Sequence, residues 1–214
     1  MKESYDEKLA SLREQVCALM SPKRFRHTLA VEDMVARLCE LFCPEYTDLM
    51  RGAALLHDIT KELSTEEQIK LCKLYGLEVT PMDRLAHKTF HARTAAEKIK
   101  AEYPDFAHPI IVNAVRWHTT GHSGMTLTEK LLYLADYIDE SRNFESCVIL
   151  RRYFWGADPA SMNAEQRLAL LRDTLILSYD MTLRDLIEDG LPFGSDTVQA
   201  RSELLLERAT AQKN

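Results

Sequence analysis

Apolar side chains recur at helical spacing along most of this chain. Leu29, Met34, Val35, Leu38 and Phe42 keep one face of a segment that opens at Ser21-Pro22 and closes at Pro44. Serine suits a helix cap and proline suits the first turn, so a helix is predicted there. A second run, expected to be capped by Thr47, carries Met50, Ala53, Ala54 and Leu56 and ends on His57-Asp58. Ser64-Thr65-Glu66-Glu67 is a capping box, and the helix behind it should stop at Gly76. Further helices are predicted over residues 91–103, before Pro104, over 109–118, and from Thr128-Glu129 through Leu131, Leu132, Leu134, Ala135 and Ile138. Beyond the break at Asp158-Pro159 lie two helical runs, 163–179 and 181–188. A turn at 190–194 and a last amphipathic helix from near Asp196 follow. Strand signals are nearly absent and no repeat occurs. The pattern predicts an all-α protein: a helical core over residues 1–155 and a C-terminal helical extension, 156–214, packed on it.

Composition narrows the class. The 214 residues suffice for one well-buried domain, and 46% hydrophobic with 28% charged residues is ordinary for a globular chain. A formal charge of -6 argues against a nucleic-acid-coating surface, because a phosphate backbone wants a basic footprint. Small polyphosphates stay open, since a bound metal and a few cations override the global sign locally. No apolar run approaches the roughly 20 residues that span a bilayer, so no membrane partner is expected. The first residues, Met1-Lys2-Glu3-Ser4-Tyr5-Asp6-Glu7, are polar and acidic, unlike a secretory signal. Five cysteines, an odd number without a Cys-x-x-Cys pair, speak against a disulfide scaffold or zinc knuckle. Cys39 and Cys43, four apart, read as small core residues. The expected compartment is the reducing cytoplasm.

The chemistry concentrates at His57-Asp58, two metal-seeking side chains at the end of an apolar run. Such groups are rarely buried without partners. His27 lies upstream, and His91, His118 and Asp136 lie downstream, each on or beside its own helical segment. Neutral imidazoles plus a carboxylate that can bridge two ions are what a dinuclear transition-metal site needs. His27, His57, Asp58 and Asp136 suffice for one ion, and His91 and His118 complete a second. Asp58 would bridge them. Ions about 3.5–4 Å apart could activate a bridging hydroxide as the nucleophile. Each residue also has a plainer reading: a lone histidine is more often a surface or hydrogen-bonded core residue. Asp136 gains weight from its apolar neighbours Leu132, Leu134, Ala135 and Ile138, whereas spacing alone says least about His27. His87 and His91 stand four apart, but His87 falls in a loop-like stretch after Pro81, so His91 is the expected ligand. His108 and His122 are expected in solvent or behind the ligands. Near the pair, Lys61, Arg116 and Arg142 could hold phosphate oxygens; the plainer reading is helix-end cations.

The order His, His-Asp, His, His, Asp resembles the HD-domain superfamily of metal-dependent phosphohydrolases. The finer pattern is similar to its YqeK-type branch of symmetrical bis(5'-nucleosyl)-tetraphosphatases. The matching stretches are Ser21 to Leu29, Leu56-His57-Asp58-Ile59-Thr60-Lys61, His91-Ala92, Ala114 to Gly121 with Gly124-Met125-Thr126, and Lys130 to Asp139. The resemblance covers roughly residues 15–155 and most of the following helix. The His-Thr-Thr-Gly loop followed by Ala-Asp-Tyr-Ile is the specific part. The resemblance implies an HD helical bundle with the metal site in its core. It implies hydrolysis of diadenosine tetraphosphate to two ADP, with iron as the metal and a dinucleoside polyphosphate or other nucleotide as the partner. Asp58 and Lys61 would then be catalytic, and Lys61, Arg116, Thr119 and Arg142 would contact substrate. A homodimer is compatible with it. Two stretches depart from the pattern: Ala-Arg-Thr-Ala-Ala after His91, where the family is apolar and contains glycine, and the long tail beyond Asp196.

Rival readings keep the metals and change the substrate, to a nucleotide phosphatase or a guanosine polyphosphate hydrolase. A nucleotide-sensing module without turnover is disfavoured, since binding alone needs no full ligand set. The residues leave Mn, Co, Ni and Zn open beside Fe, because mixed His/carboxylate sites accept all of them.

Overall fold

The computed structural model describes residues 4–211, and within them the chain is helical with no strand. Eleven α-helices follow one another: α1 (Tyr5–Leu19), α2 (Pro22–Phe42), α3 (Thr47–Leu56), α4 (Thr65–Leu74), α5 (Pro81–Leu85), α6 (Phe90–Glu102), α7 (Pro109–Trp117), α8 (Leu127–Ile138), α9 (Glu145–Gly156), α10 (Ala164–Glu188) and α11 (Ser195–Ala211). Side-chain caps set the starts. Ser21 accepts from the Arg24 amide with Pro22 at the first position, and Ser64 and Glu67 form a reciprocal capping box. Gly76, at φ 68°, takes the left-handed turn after α4.

Several local expectations are corrected. Thr47 is the first residue of α3 and its hydroxyl donates to the Pro44 carbonyl, because a short 3-10 turn, Pro44–Tyr46, leads straight into the helix. The cap of α8 is Thr126, paired with Glu129, two residues before the expected start. The two expected runs form one helix, α10 (Ala164–Glu188), with Asn163 as its cap. Nothing breaks it at Tyr179-Asp180-Met181, since no Gly or Pro lies there and Tyr179 is fully buried on its inner face. Helices α1 and α9 are not among those expected from apolar spacing. Their buried residues are few, Leu9, Leu12 and Val16 in α1 and Cys147, Leu150 and Phe154 in α9, so each shows only a narrow apolar stripe. The stretch around His87 is a 3-10 turn, His87–Thr89, and not an open loop.

The core is built on two buried helices. In α3, Ala53, Ala54, Leu55 and Leu56 are all excluded from solvent, and so are Leu131 to Ala135 in α8. A segment apolar all round must be covered on every side, and the second half of α3 is such a segment: the helix packs against α1, α2, α7 and α8. Gly52 permits one of these approaches, since a Cβ there would lie 3.1 Å from the Phe106 ring. Helix α1 is pinned by Arg13, which shares the buried Glu32 carboxylate of α2 with Arg51 of α3. The same hydrophobic cluster runs into the C-terminal helices through Leu171, Leu175, Tyr179, Ala200 and Leu204. The Tyr179 ring lies 4.8 Å from that of Tyr133 on α8.

Candidate metal centre

Helix ends aim the polar groups inward. His57 is the C-cap of α3 and His118 the C-cap of α7. At a helix end the backbone carbonyls of the last turn lack intrahelical partners. Both histidines use them: Nδ1 of His57 donates to the Ala54 carbonyl at 2.6 Å, and Nδ1 of His118 to the Val115 carbonyl at 2.7 Å. His91, in the first turn of α6, donates from Nδ1 to the Lys88 carbonyl at 2.8 Å. A carbonyl only accepts, so the proton sits on Nδ1 in all three and Nε2 presents a lone pair. That is the tautomer a metal-ligating histidine adopts.

The Nε2 atoms converge. Those of His91 and His118 lie 3.1 Å apart, with the Thr119 hydroxyl 3.1 Å from each. Two lone pairs at that separation repel; the Thr119 hydroxyl proton can satisfy only one, and the Lys61 ammonium, 3.2 Å from His91 Nε2, can satisfy the other. The buried Nε2 atoms of His57 and His27 have no hydrogen-bond partner. Asp136 Oδ1 is 3.0 Å from His27 Nε2, but off the axis of an N–H bond. Asp58 stands between the four rings. Its Oδ1 lies 3.3 Å from His91 Nε2 and 3.8 Å from His118 Nε2, and its Oδ2 lies 3.4 Å from His57 Nε2 and 3.8 Å from His27 Nε2. Two triads with ligand atoms within 4.8 Å of one another result: His27, His57 and Asp136, and His57, Asp58 and His118. Unpartnered buried ring nitrogens beside two carboxylates, all aimed at one space, fit a divalent cation, which would displace the His27 proton and satisfy them together.

The electrostatics agree. Burial works to raise the Asp58 pKa, but the imidazoles of His57 and His91 hold it well below the usual carboxylate range. For Asp136 burial is again overcome, chiefly by Arg142, whose guanidinium bonds both its carboxylate and its carbonyl. Burial and the Lys61 ammonium push His91 well below its ordinary value, and burial with His57 lowers His118 to about 4. These two imidazoles are therefore neutral and ready to ligate at pH 7. His27 differs. Burial pulls its pKa down, but Asp136 and Asp139 outweigh that and raise it to about 9. Without a cation the cluster keeps one proton there.

Of the residues anticipated from sequence, the six ligand candidates come together with Lys61, Thr119 and Arg142. The Lys61 ammonium lies 3.2 Å from His91 Nε2. Arg116 is not brought to this cluster. Its guanidinium lies 4.1 Å over the Trp117 ring, and the charges acting on it are those of Arg93, Asp196, Glu97 and Asp83. The reason is helical geometry: two positions before His118 is the opposite side of α7. His108 accepts from the Ile110 amide at 3.2 Å as the cap of α7, and His122 stacks on Trp117 at 4.4 Å. Both serve the scaffold.

Sequence reasoning missed three contributors. Arg24 reaches Asp58 Oδ2 at 2.7 Å from the first turn of α2, one turn before His27. Asp139, fully buried, sets its Oδ2 3.3 Å from His27 Nδ1 and is held through Oδ1 by the Ser141 amide and hydroxyl. A buried network positions His91: Thr60 donates to the His91 carbonyl at 3.0 Å, and Thr94 donates to Gln68, which in turn bonds the Thr60 carbonyl. For Arg24 and Asp139 the signal was present, a charge one turn from a ligand on each helix. The Thr/Gln network has no local signature.

The HD domain model matches residues 24–141. The chain belongs to the HD domain family. It is 30% identical over 194 residues to a symmetrical bis(5'-nucleosyl)-tetraphosphatase of Bacillus subtilis (strain 168), covering 90% of this chain and 92% of that protein. A protein of the same name from Halalkalibacterium halodurans is 28% identical over 198 residues, covering 88% of this chain and 92% of the relative. A crystal structure from Clostridium acetobutylicum, described as a predicted HD superfamily hydrolase involved in NAD metabolism, superposes with a TM-score of 0.80 at 29% identity. It covers 96% of this chain and 98% of that one. The HD hydrolase described here thus has the all-helical family fold, with a His/Asp cluster in its core that binds divalent metal. No helix among the described residues is long and apolar enough to cross a membrane.

Proposed function

We propose that this HD hydrolase cleaves diadenosine tetraphosphate symmetrically, to two ADP, at a dinuclear centre holding iron, in the cytoplasm. The observation that carries the reading is Asp58, whose two oxygens divide the four histidines into pairs, His91 with His118 and His27 with His57. A carboxylate so placed can serve two ions at once, with Asp136 completing the set on the His27 side. When bound, such ions supply Lewis acidity at a phosphoryl oxygen and an activated water. The substrate reading is supported by the names of the two bacilli relatives, which match over nine-tenths of their length.

The chain's own groups would do the rest. Arg142 holds Asp136 ionised and aimed, and Arg24 does the same for Asp58. Lys61 and Thr119 face the His91–His118 side, where they can take phosphate oxygens. Water attack at an inner phosphorus breaks the bridging P–O bond, and the bridging oxygen leaves on ADP, a far better leaving group than a nucleoside alkoxide. The C-terminal extension, described as far as residue 211, we read as buttressing α8, and with it Asp136, through Tyr179 and its neighbours.

Metal analysis of protein purified without chelator, followed by chromatography of the products, tests this. Two bound ions per chain and ADP as sole product are expected. Equimolar AMP and ATP would make it an asymmetric hydrolase, and inorganic phosphate from mononucleotides or pyrophosphate from guanosine polyphosphates would give it the corresponding rival activity.

A further inference from the structure

A cavity of about 710 Å³ opens beside His27 and Arg142, on one side of the cluster. Across the cluster, next to Lys61 and His91, the space is only about 210 Å³. Small-molecule pockets run from about 300 to 1,000 Å³, so only the first has room for a nucleoside. Its lining is cationic: Lys23, Arg24, Arg26 and Arg142 face one carboxylate, Glu62. That carboxylate is already occupied by the Ser21 amide and hydroxyl, at 2.7 and 2.5 Å. Among the described residues, Lys23 and Arg26 have no acidic partner within salt-bridge distance. The cavity therefore presents uncommitted positive charge beside the metal ligands.

Phe144 stands on its wall. It is 69% exposed, the most exposed aromatic side chain among the described residues. It is also the N-cap of α9 and makes no capping hydrogen bond, at a position where Ser, Thr, Asp or Asn is strongly preferred. The residue thus serves neither the core nor its helix. An aromatic face beside a row of cations matches a nucleotide, whose base stacks while its phosphates take the charge.

We propose that this cavity is the nucleoside subsite for one ADP half of the substrate, with Phe144 as the stacking platform for the base and Lys23 and Arg26 as partners of the adjoining phosphates. The proposal rests on the nucleotide reading above and adds which side of the cluster holds the base. The narrower space by Lys61 takes phosphate only.

The test is titration of metal-loaded protein with ADP and, separately, with pyrophosphate, which shares the diphosphate and lacks the base. Removing the aromatic face removes the stacking contact, so Phe144→Ser should weaken ADP about tenfold. Pyrophosphate binding should not change, and Tm should hold or rise, because serine can cap α9. Phe144→Tyr should restore ADP binding. In turnover of diadenosine tetraphosphate the loss should fall on KM rather than kcat. Equal weakening of ADP and pyrophosphate, unchanged ADP affinity in Phe144→Ser, or no ADP binding to the wild type would overturn the subsite. Products other than two ADP would overturn the reaction instead, while the ADP and pyrophosphate titrations would still decide the subsite.

Discussion

Replacing Asp58 separates a bridging carboxylate from an ordinary buried one. In the wild type its Oδ1 serves the His91–His118 side and its Oδ2 the His57–His27 side. Asp58→Ala removes one ligand from each ion, whereas losing any single histidine removes one ligand from one ion. The damage should exceed that of each histidine variant. Turnover should drop at least a thousandfold, about 4 kcal/mol of barrier at 1.36 kcal/mol per decade. The metal-free fold should survive. The variant leaves Arg24 without its 2.7 Å partner, but that guanidinium is 26% exposed and opens to the cavity, so no uncompensated buried charge results. Relief of the repulsion between Asp58 and Asp136 works the other way. The net change should stay within about 1–2 kcal/mol, and a chain of this size shifts Tm by about 2–4 °C per kcal/mol. The assay is threefold: metal content by elemental analysis, product formation, and melting with and without added metal. Wild-type Tm should rise with metal and the variant's should not. Activity within about tenfold of wild type, some 1.4 kcal/mol, would refute the bridging role.

Other expectations follow from neighbouring groups. In metal-free protein, imidazole NMR should find His27 still protonated at pH 8 and His118 neutral down to about pH 4. Because the His27 pKa is raised above its unfolded value of about 6.5, the stability it contributes to the metal-free fold is complete below that pH and lost as pH climbs through about 9. Asp139→Asn should lower that titration and weaken metal binding by about 10–100-fold, as loss of a partner behind a ligand does; an unmoved His27 resonance would count against it. Lys61→Met should retain both ions yet lose about 10–100-fold in kcat/KM, the size expected for a charged hydrogen bond to phosphate, and loss of metal instead would make Lys61 a scaffold residue. Gly121→Ala should destabilise by more than about 2 kcal/mol, seen as a lower Tm. Gly121 sits at φ 63° and a Cβ would fall 1.9 Å from the Tyr179 hydroxyl, so a Tm within 2 °C of wild type, by the same per-kcal scaling, would contradict the packing.

Much of this molecule is local and therefore readable along the chain. Helix periodicity, capping boxes and proline starts are short-range, and they located α2, α4, α6, α7 and α8 to within a residue or two at most ends. The His57-Asp58 pair behind an apolar run, and His118 before its Thr-Thr-Gly loop, are legible for the same reason: a helix end leaves carbonyls free and turns the next side chain inward. What the chain alone could not decide is direction and pairing. Helix α10 continues past Tyr179 because tertiary burial of that ring overrides a weak pattern. Arg116 stands two residues from a ligand candidate yet points to Trp117, while Arg24, thirty-four residues from Asp58 in sequence, touches it. Proximity along a helix places side chains on different faces, and only packing of α2 against α3 and α8 brings distant charges within hydrogen-bond reach. The same packing sorts four histidines onto the two oxygens of one aspartate, a division that depends on ångström distances between helices and has no expression in spacing along the sequence.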